Sequence, residues 1–361
     1  MRLINLKKET SERSDASNWA KEALIKHTPF YFESIEGCNQ NSGDKVTHLF
    51  ERARVDEISG KTSKSYLLQK IITLEGEEAL KRKINFAKLF GVPLTYVLYC
   101  NASEHVYLFN FQSANQLDFL VQFDSYENFA AWISGIKGWK SAKSFREMAD
   151  LPYFDKELRK HHTPWPANID CFFTDKHNRP LGIIEFQNAD KTGVTAHCNN
   201  DYFQCKTTLP KTAGESAHTV YADDIRRWTS QEILRVQSGL RFFIITWSRH
   251  ENDFILKELD SVAIPYFPQK DGKPDTTVMS SYKRELHRYV HSGRDKEIAR
   301  QIAARYKTYS LKWDGRKSIT RIHQPPLSYR DKTFPALYYK SKLIIKNNRT
   351  QLAEQFNRLF E

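Results

Sequence analysis

Two hydrophobic alternations mark out most of the chain. Residues 15–27 read as an amphipathic helix with Trp19, Ala23 and Ile25 inward and Ser14 or Asp15 at its start. A polar connector follows, with a loop at 39–44, and the apolar run 66–73 reads as a strand. Residues 75–90 place Leu80, Ile84 and Ala87 at helical spacing and are stopped by Gly91 and Pro93. Segments 94–100, 106–111 and 118–123 are short, apolar and aromatic, as strands are, and 126–134 reads as the helix that closes them. A short helix is expected over 155–162, and a β-hairpin over 168–187. The hairpin has apolar arms around a polar turn at 175–180. Then come a polar insertion (188–219), a helix (221–236) and a strand (241–248). Helical patterns follow at 281–290, 295–309 and 350–360. Strands interleaved with helices in this way predict the α/β class, with a mixed central β-sheet flanked by helices.

With 361 residues, 40% of them hydrophobic, the chain can bury a large core and has room for two or three domains. Composition suggests an N-terminal α/β region at 1–136, a central domain at 137–268 and a C-terminal module at 269–361. Strand, strand, helix, strand recurs in the first two regions, so the first can be read as a degenerate copy of the second. Under that reading Asp56 would match Asp170, and Leu68-Gln69-Lys70 would match Glu185-Phe186-Gln187. Two unrelated α/β segments are the alternative.

The net charge of +12 is unevenly placed. Residues 281–361 hold 19 Lys and Arg against 7 Asp and Glu, leaving 36 against 36 in the rest. A basic, mainly helical C-terminal module on a neutral body is the footprint expected for phosphate contacts, with Arg300, Arg305 and Lys307 as the candidate nucleic-acid-binding residues. The alternative is a solvated basic surface. Five cysteines, an odd number, suit free thiols in a reducing compartment. No apolar run approaches the ~20 residues that span a bilayer, and residues 1–17 lack the apolar core of a leader. A cytoplasmic protein without membrane contact is the expectation.

The hairpin carries the candidate chemistry. Glu185 interrupts an apolar arm, Gln187 shares its face by the two-residue period of a strand, and Asp170 lies on the neighbouring arm. Two carboxylates with carbonyl oxygens and water form a hard oxygen site suited to magnesium. The arrangement resembles the PD-(D/E)xK nuclease superfamily over about a quarter of the chain. Ile169-Asp170 stands where that family has Pro-Asp, and Glu185-Phe186-Gln187 where it has Glu-x-Lys. The resemblance implies a restriction-endonuclease-like core and magnesium, with manganese as the alternative ion, held by Asp170 and Glu185. It also implies a DNA substrate and a homodimer able to cut both strands. Gln187 replaces the motif lysine, as in some active restriction enzymes of the superfamily. Lys191 is the nearest lysine that could take the vacated place, and Glu157, on the helix before the hairpin, is the counterpart of the family's additional acidic residue.

Three functions are compatible with these residues. The first is a magnesium-dependent DNA endonuclease of the type II restriction kind. The second is a non-catalytic nucleic-acid-binding protein with a decayed site. The third, a hydrolase of small phosphate esters, would leave the basic module without a task.

Overall fold

The computed structural model describes residues 4–9, 17–40, 45–58, 62–138, 140, 151–191, 193–195, 197, 225–265 and 336–361, together with short isolated strands between them. Two compact units are present. The first comprises 1–185 with 237–240, and the second 186–236 with 241–361. The basic residues Arg300, Arg305 and Lys307, the helix expected over 281–290 and residues 295–307 of the helix expected over 295–309 lie outside the described residues, while Thr308–Tyr309, expected at that helix's end, are a short strand.

The first unit is built on a mixed sheet. Its strands are β1 (Leu6–Lys7), β2 (Tyr31–Gln40), β3 (Val46–Val55), β4 (Leu94–Tyr99), β5 (Val106–Ser113), β6 (Gln116–Phe123), β7 (Ala167–Thr174) and β8 (Pro180–Asn188). The order is β8-β7-β2-β3-β4-β5-β6, with β1 beside the end of β3. Only the β3–β4 pair among these is parallel, and it needs a long crossover, supplied by α2 (Lys64–Glu75) and α3 (Glu77–Lys88). Helices α1 (Trp19–His27), α4 (Tyr126–Lys137) and α5 (Tyr153–Lys160) complete the unit. The α/β class expected from the sequence is therefore observed.

Local chemistry explains most of these elements. Helix α4 begins at Ser125, whose side chain accepts from the Asn128 amide, and ends at Gly138 in the left-handed conformation. It packs Phe129, Ala130 and Ile133 against Phe50, Val97 and Leu108 of the sheet and against Phe154 and Leu158 of α5. On α3, Leu80, Ile84 and Ala87 are buried as predicted, and Phe86 stacks on Phe172 of β7 with ring centroids 4.2 Å apart.

Several expectations fail. On α1 the buried positions are Ala20 and Leu24, while Ile25, expected inward, is exposed. The run 66–73 is helix α2, not a strand. The Ser63 side chain caps it by accepting from the Tyr66 amide, and Leu67 and Ile71, four residues apart, are its buried positions. Leu68-Gln69-Lys70 therefore cannot be the strand motif of a first copy. The supposed polar connector contains β2, ten residues paired with β3 on one side and β7 on the other.

In the second unit, β9 (Gln204–Thr208) pairs antiparallel with β10 (Thr219–Asp223), β11 (Arg241–Trp247) and β12 (Phe254–Pro265) form an antiparallel hairpin, and the strand Ala336–Ile345 pairs with β12. Helix α6 (Ile225–Ser238) buries Trp228 and Leu234, and Phe356 of the helix Leu352–Asn357 packs on Phe243 at 5.3 Å. No helix among the described residues is long and apolar enough to cross a membrane.

Candidate functional site

Strands β7 and β8 form the predicted hairpin. Asp175 organises its turn by accepting from the His177 and Arg179 amides at 2.9 and 3.0 Å. The register pairs Phe173 with Gly182, Phe172 with Ile183 and Cys171 with Ile184. One step further along the same register, Asp170 and Glu185 occupy facing positions, where the ladder between the two strands has ended. Opposed residues of an antiparallel pair project to the same side, which puts the two carboxylates singled out in the sequence on one side of the hairpin end. Asp170 is half-buried and accepts from Asn168 Nδ2 at 3.1 Å, while Glu185 is buried.

Gln187, two residues along β8 from Glu185, is buried, and its Oε1 accepts from Thr246 Oγ1 at 3.1 Å. Its Nε2 has no hydrogen-bond partner. A hydroxyl can donate or accept, so turning the amide over keeps the bond to Thr246 and frees the carbonyl oxygen instead. In that orientation Gln187 is a neutral oxygen donor on the face of β8 that carries Glu185. Carboxylates such as Asp170 and Glu185 are hard oxygen donors, the kind of ligand magnesium and manganese take.

The remaining candidates are placed less favourably. Lys191 is exposed in the turn beyond β8. Glu157 is buried on α5 and holds Lys160 Nζ at 2.5 Å. Among the described residues, no group of three or more His, Cys, Asp or Glu side chains is arranged to hold a metal ion, so a third carboxylate does not join Asp170 and Glu185 in the way the additional acid of the resemblance would. Just past β8, Asp190 ties down the turn. It accepts from Ser248 Oγ at 3.1 Å and from the Arg249 amide and Nε at 2.7 and 2.6 Å. Partial burial opposes its charge, but these donors outweigh it and bring its carboxyl down to about 2.

Sequence reasoning missed a second set of ionisable residues in the first unit, Lys8, Glu36, Glu51, Glu75 and Lys83. The signal available was Glu51 directly after Phe50 in a strand, as Glu185 follows Ile184. Comparison with known proteins returns no matching family model, no matching curated protein and no matching solved structure, so the side chains themselves carry the functional argument.

Proposed function

We propose that the protein is a metal-dependent phosphodiesterase acting on DNA, a restriction-type endonuclease whose site is the open end of the β7–β8 hairpin. The observation that carries the reading is the facing pair Asp170 and Glu185 at the point where the strands part. A divalent cation held there would supply Lewis-acid stabilisation of the charge that develops on a phosphodiester as it is hydrolysed. Glu185 is buried on its strand, which limits its rotamers and pre-sets the ligand. Gln187 would orient water or a phosphate oxygen by hydrogen bonding, and the excess of basic residues at 281–361 would supply phosphate contacts.

Incubation of the full chain with supercoiled plasmid, with and without magnesium, tests the proposal. Cleavage should need the metal and should disappear in Asp170→Ala and Glu185→Ala while both variants keep the wild-type circular dichroism spectrum. Cutting by either variant at the wild-type rate would sink the assignment. The engagement of Gln187 with Thr246, where the resembled family keeps a lysine, favours a second reading, a nucleic-acid-binding protein with a decayed site. That reading predicts DNA retention in a filter-binding assay without any metal-dependent product.

A further inference from the structure

The β2–β3 hairpin repeats the geometry of β7–β8. Its ladder pairs Cys38 with Leu49 and Gly37 with Phe50 and then stops, one step before Glu36 and Glu51. In the other hairpin the last pair is Cys171 with Ile184, one step before Asp170 and Glu185. The spacing is constant, since Glu36 and Asp170 are 134 positions apart (170 − 36), and so are Glu51 and Glu185 (185 − 51). At the same spacing Ile35 corresponds to Ile169, and these two residues pair with each other across the antiparallel β2–β7 seam. A residue that pairs with its own counterpart marks a local two-fold axis, the arrangement two copies of one unit adopt when they dimerise isologously. In chain order, the β2–β3 hairpin is followed by α2, α3 and the antiparallel pair β4–β5, and the β7–β8 hairpin by the antiparallel pair β9–β10, which has no counterpart in the first copy, and then by α6 and the antiparallel pair β11–β12.

The two carboxylate pairs differ in what surrounds them. Glu51 is fully buried and receives Lys8 Nζ at 2.7 Å and Lys83 Nζ at 3.0 Å on one oxygen, while its other oxygen accepts from the Glu36 amide at 3.3 Å. The same two ammonium groups reach Glu75 at 2.6 and 3.2 Å, and Tyr96 donates to Glu75 at 2.6 Å. We infer that the β2–β3 hairpin is a second copy of the carboxylate hairpin, and that the ammonium groups of Lys8 and Lys83 occupy the place a divalent cation would take between its acids. Two positive charges sit among Glu36, Glu51 and Glu75, so the charge a metal would bring is already present and the site is closed to it. Lys83 comes from α3 and Lys8 directly follows β1, neither of them part of the hairpin itself. The inference concerns the first unit and stands whether or not Asp170 and Glu185 are catalytic.

Removing the ammonium groups should reopen the site. The experiment uses the full chain in an Asp170→Asn, Glu185→Gln background, so that the other pair contributes no metal binding. Manganese is the probe, read by the loss of the free-ion electron paramagnetic resonance signal and by thermal unfolding. Lys8→Ala combined with Lys83→Ala should bind one more manganese ion per chain than the background, and the ion should raise the midpoint by about 3 °C or more. Adding Glu51→Gln should abolish both effects. Lys8 is the more exposed of the two lysines, so Lys8→Ala alone is the companion variant if the double variant does not fold; with Lys83 still on Glu51 it should take up the ion at higher manganese concentration, and lose it on adding Glu51→Gln. Manganese uptake equal to the background in the folded variant, or uptake indifferent to Glu51→Gln, overturns the inference. Failure of metal-dependent DNA cleavage in the wild type would instead count against the function proposed for Asp170 and Glu185.

Discussion

Asp155→Ala should destabilise the first unit far more than an ordinary surface change, because it strands a buried guanidinium. Arg52 of β3 donates from both terminal nitrogens to the two Asp155 oxygens, each at 2.9 Å. Both side chains are at most a tenth exposed. The guanidinium also stacks on Trp165, 4.7 Å from the ring centre. Burial opposes its charge, and the adjacent Asp155 carboxylate more than restores it, so Arg52 stays cationic. Without Asp155, the remaining carboxylate within ion-pair range is Glu36, 3.9 Å from Nε, too distant to replace two charge-assisted bonds. Breaking a buried pair from one side costs ~3–5 kcal/mol. With a urea slope of ~2 kcal/mol/M, a loss of ~4 kcal/mol moves the midpoint by about 2 M. Urea unfolding followed by tryptophan fluorescence reads this, since Trp165 lies on the guanidinium. Arg52→Met combined with Asp155→Leu should recover most of the loss, because an apolar pair of similar volume leaves no stranded charge. A shift below ~0.5 M for Asp155→Ala, or a double variant as unstable as the two single losses summed, would refute the reasoning. At stake is the anchoring of α5, and with it Glu157, to the central strand.

Two further outcomes follow from other parts of the first unit. Burial brings the Lys137 ammonium down to about 7 in the folded chain, so between pH 7 and the ordinary lysine range near 10.5 the unfolded chain holds the extra proton and stability rises with pH. Lys137→Met should therefore be more stable than wild type by on the order of a few kcal/mol below pH 7. The gap should close towards pH 10.5, and a pH-independent difference in chemical denaturation would contradict the burial account. If each chain has one open carboxylate pair and one filled with lysine, supercoiled plasmid should pass through a nicked circle before becoming linear. Direct conversion to linear DNA at sub-stoichiometric enzyme would show that two sites act together.

Some of this architecture was readable because local signals agreed with packing. Ser125 and Gly138 bracket α4, and Glu185 stands out because Ile184 and Phe186 flank it in a short apolar arm. Helix α2 was misread because Ile71, Ile72 and Thr73 are β-branched residues that strands favour, although Leu67, Leu68, Ile71 and Ile72 recur four apart around Gln69-Lys70 and Ser63 caps the helix. Strand β2 was hidden for the opposite reason. Glu33, Ser34, Glu36 and Asn39 make it look like a connector, yet neighbours on both edges satisfy its backbone, and Glu33 pairs with Arg82 at 2.6 Å.

The lysine-filled acids were the least legible part, because their physics is non-local. Lys8, Glu51, Glu75 and Lys83 are spread over 75 positions (83 − 8), and apart from Glu51 following Phe50 their immediate sequence does not distinguish them from solvated surface charges. The fold reverses that reading. Burial alone would push Glu75 up, but Lys83 and Lys8 together with the Tyr96 hydroxyl hold its carboxyl at about 2. The same carboxylates, Glu51 foremost, raise Lys83 against its own burial. The linkage signs make the cluster a stabilising unit over a defined window. Lowered Glu75 contributes above its unfolded range near 4.5 and fails as pH falls towards 2, whereas raised Lys8 and Lys83 contribute below 10.5 and fail at higher pH. The duplication is equally hard to see in the sequence, because few positions need to recur. Ile-Glu at 35–36 matches Ile-Asp at 169–170, and a glutamate after an apolar residue recurs at 51 and 185. Elsewhere in a strand, volume and polarity suffice and identity is free to drift, so what remains of the repeat is the register that pairs Ile35 with Ile169.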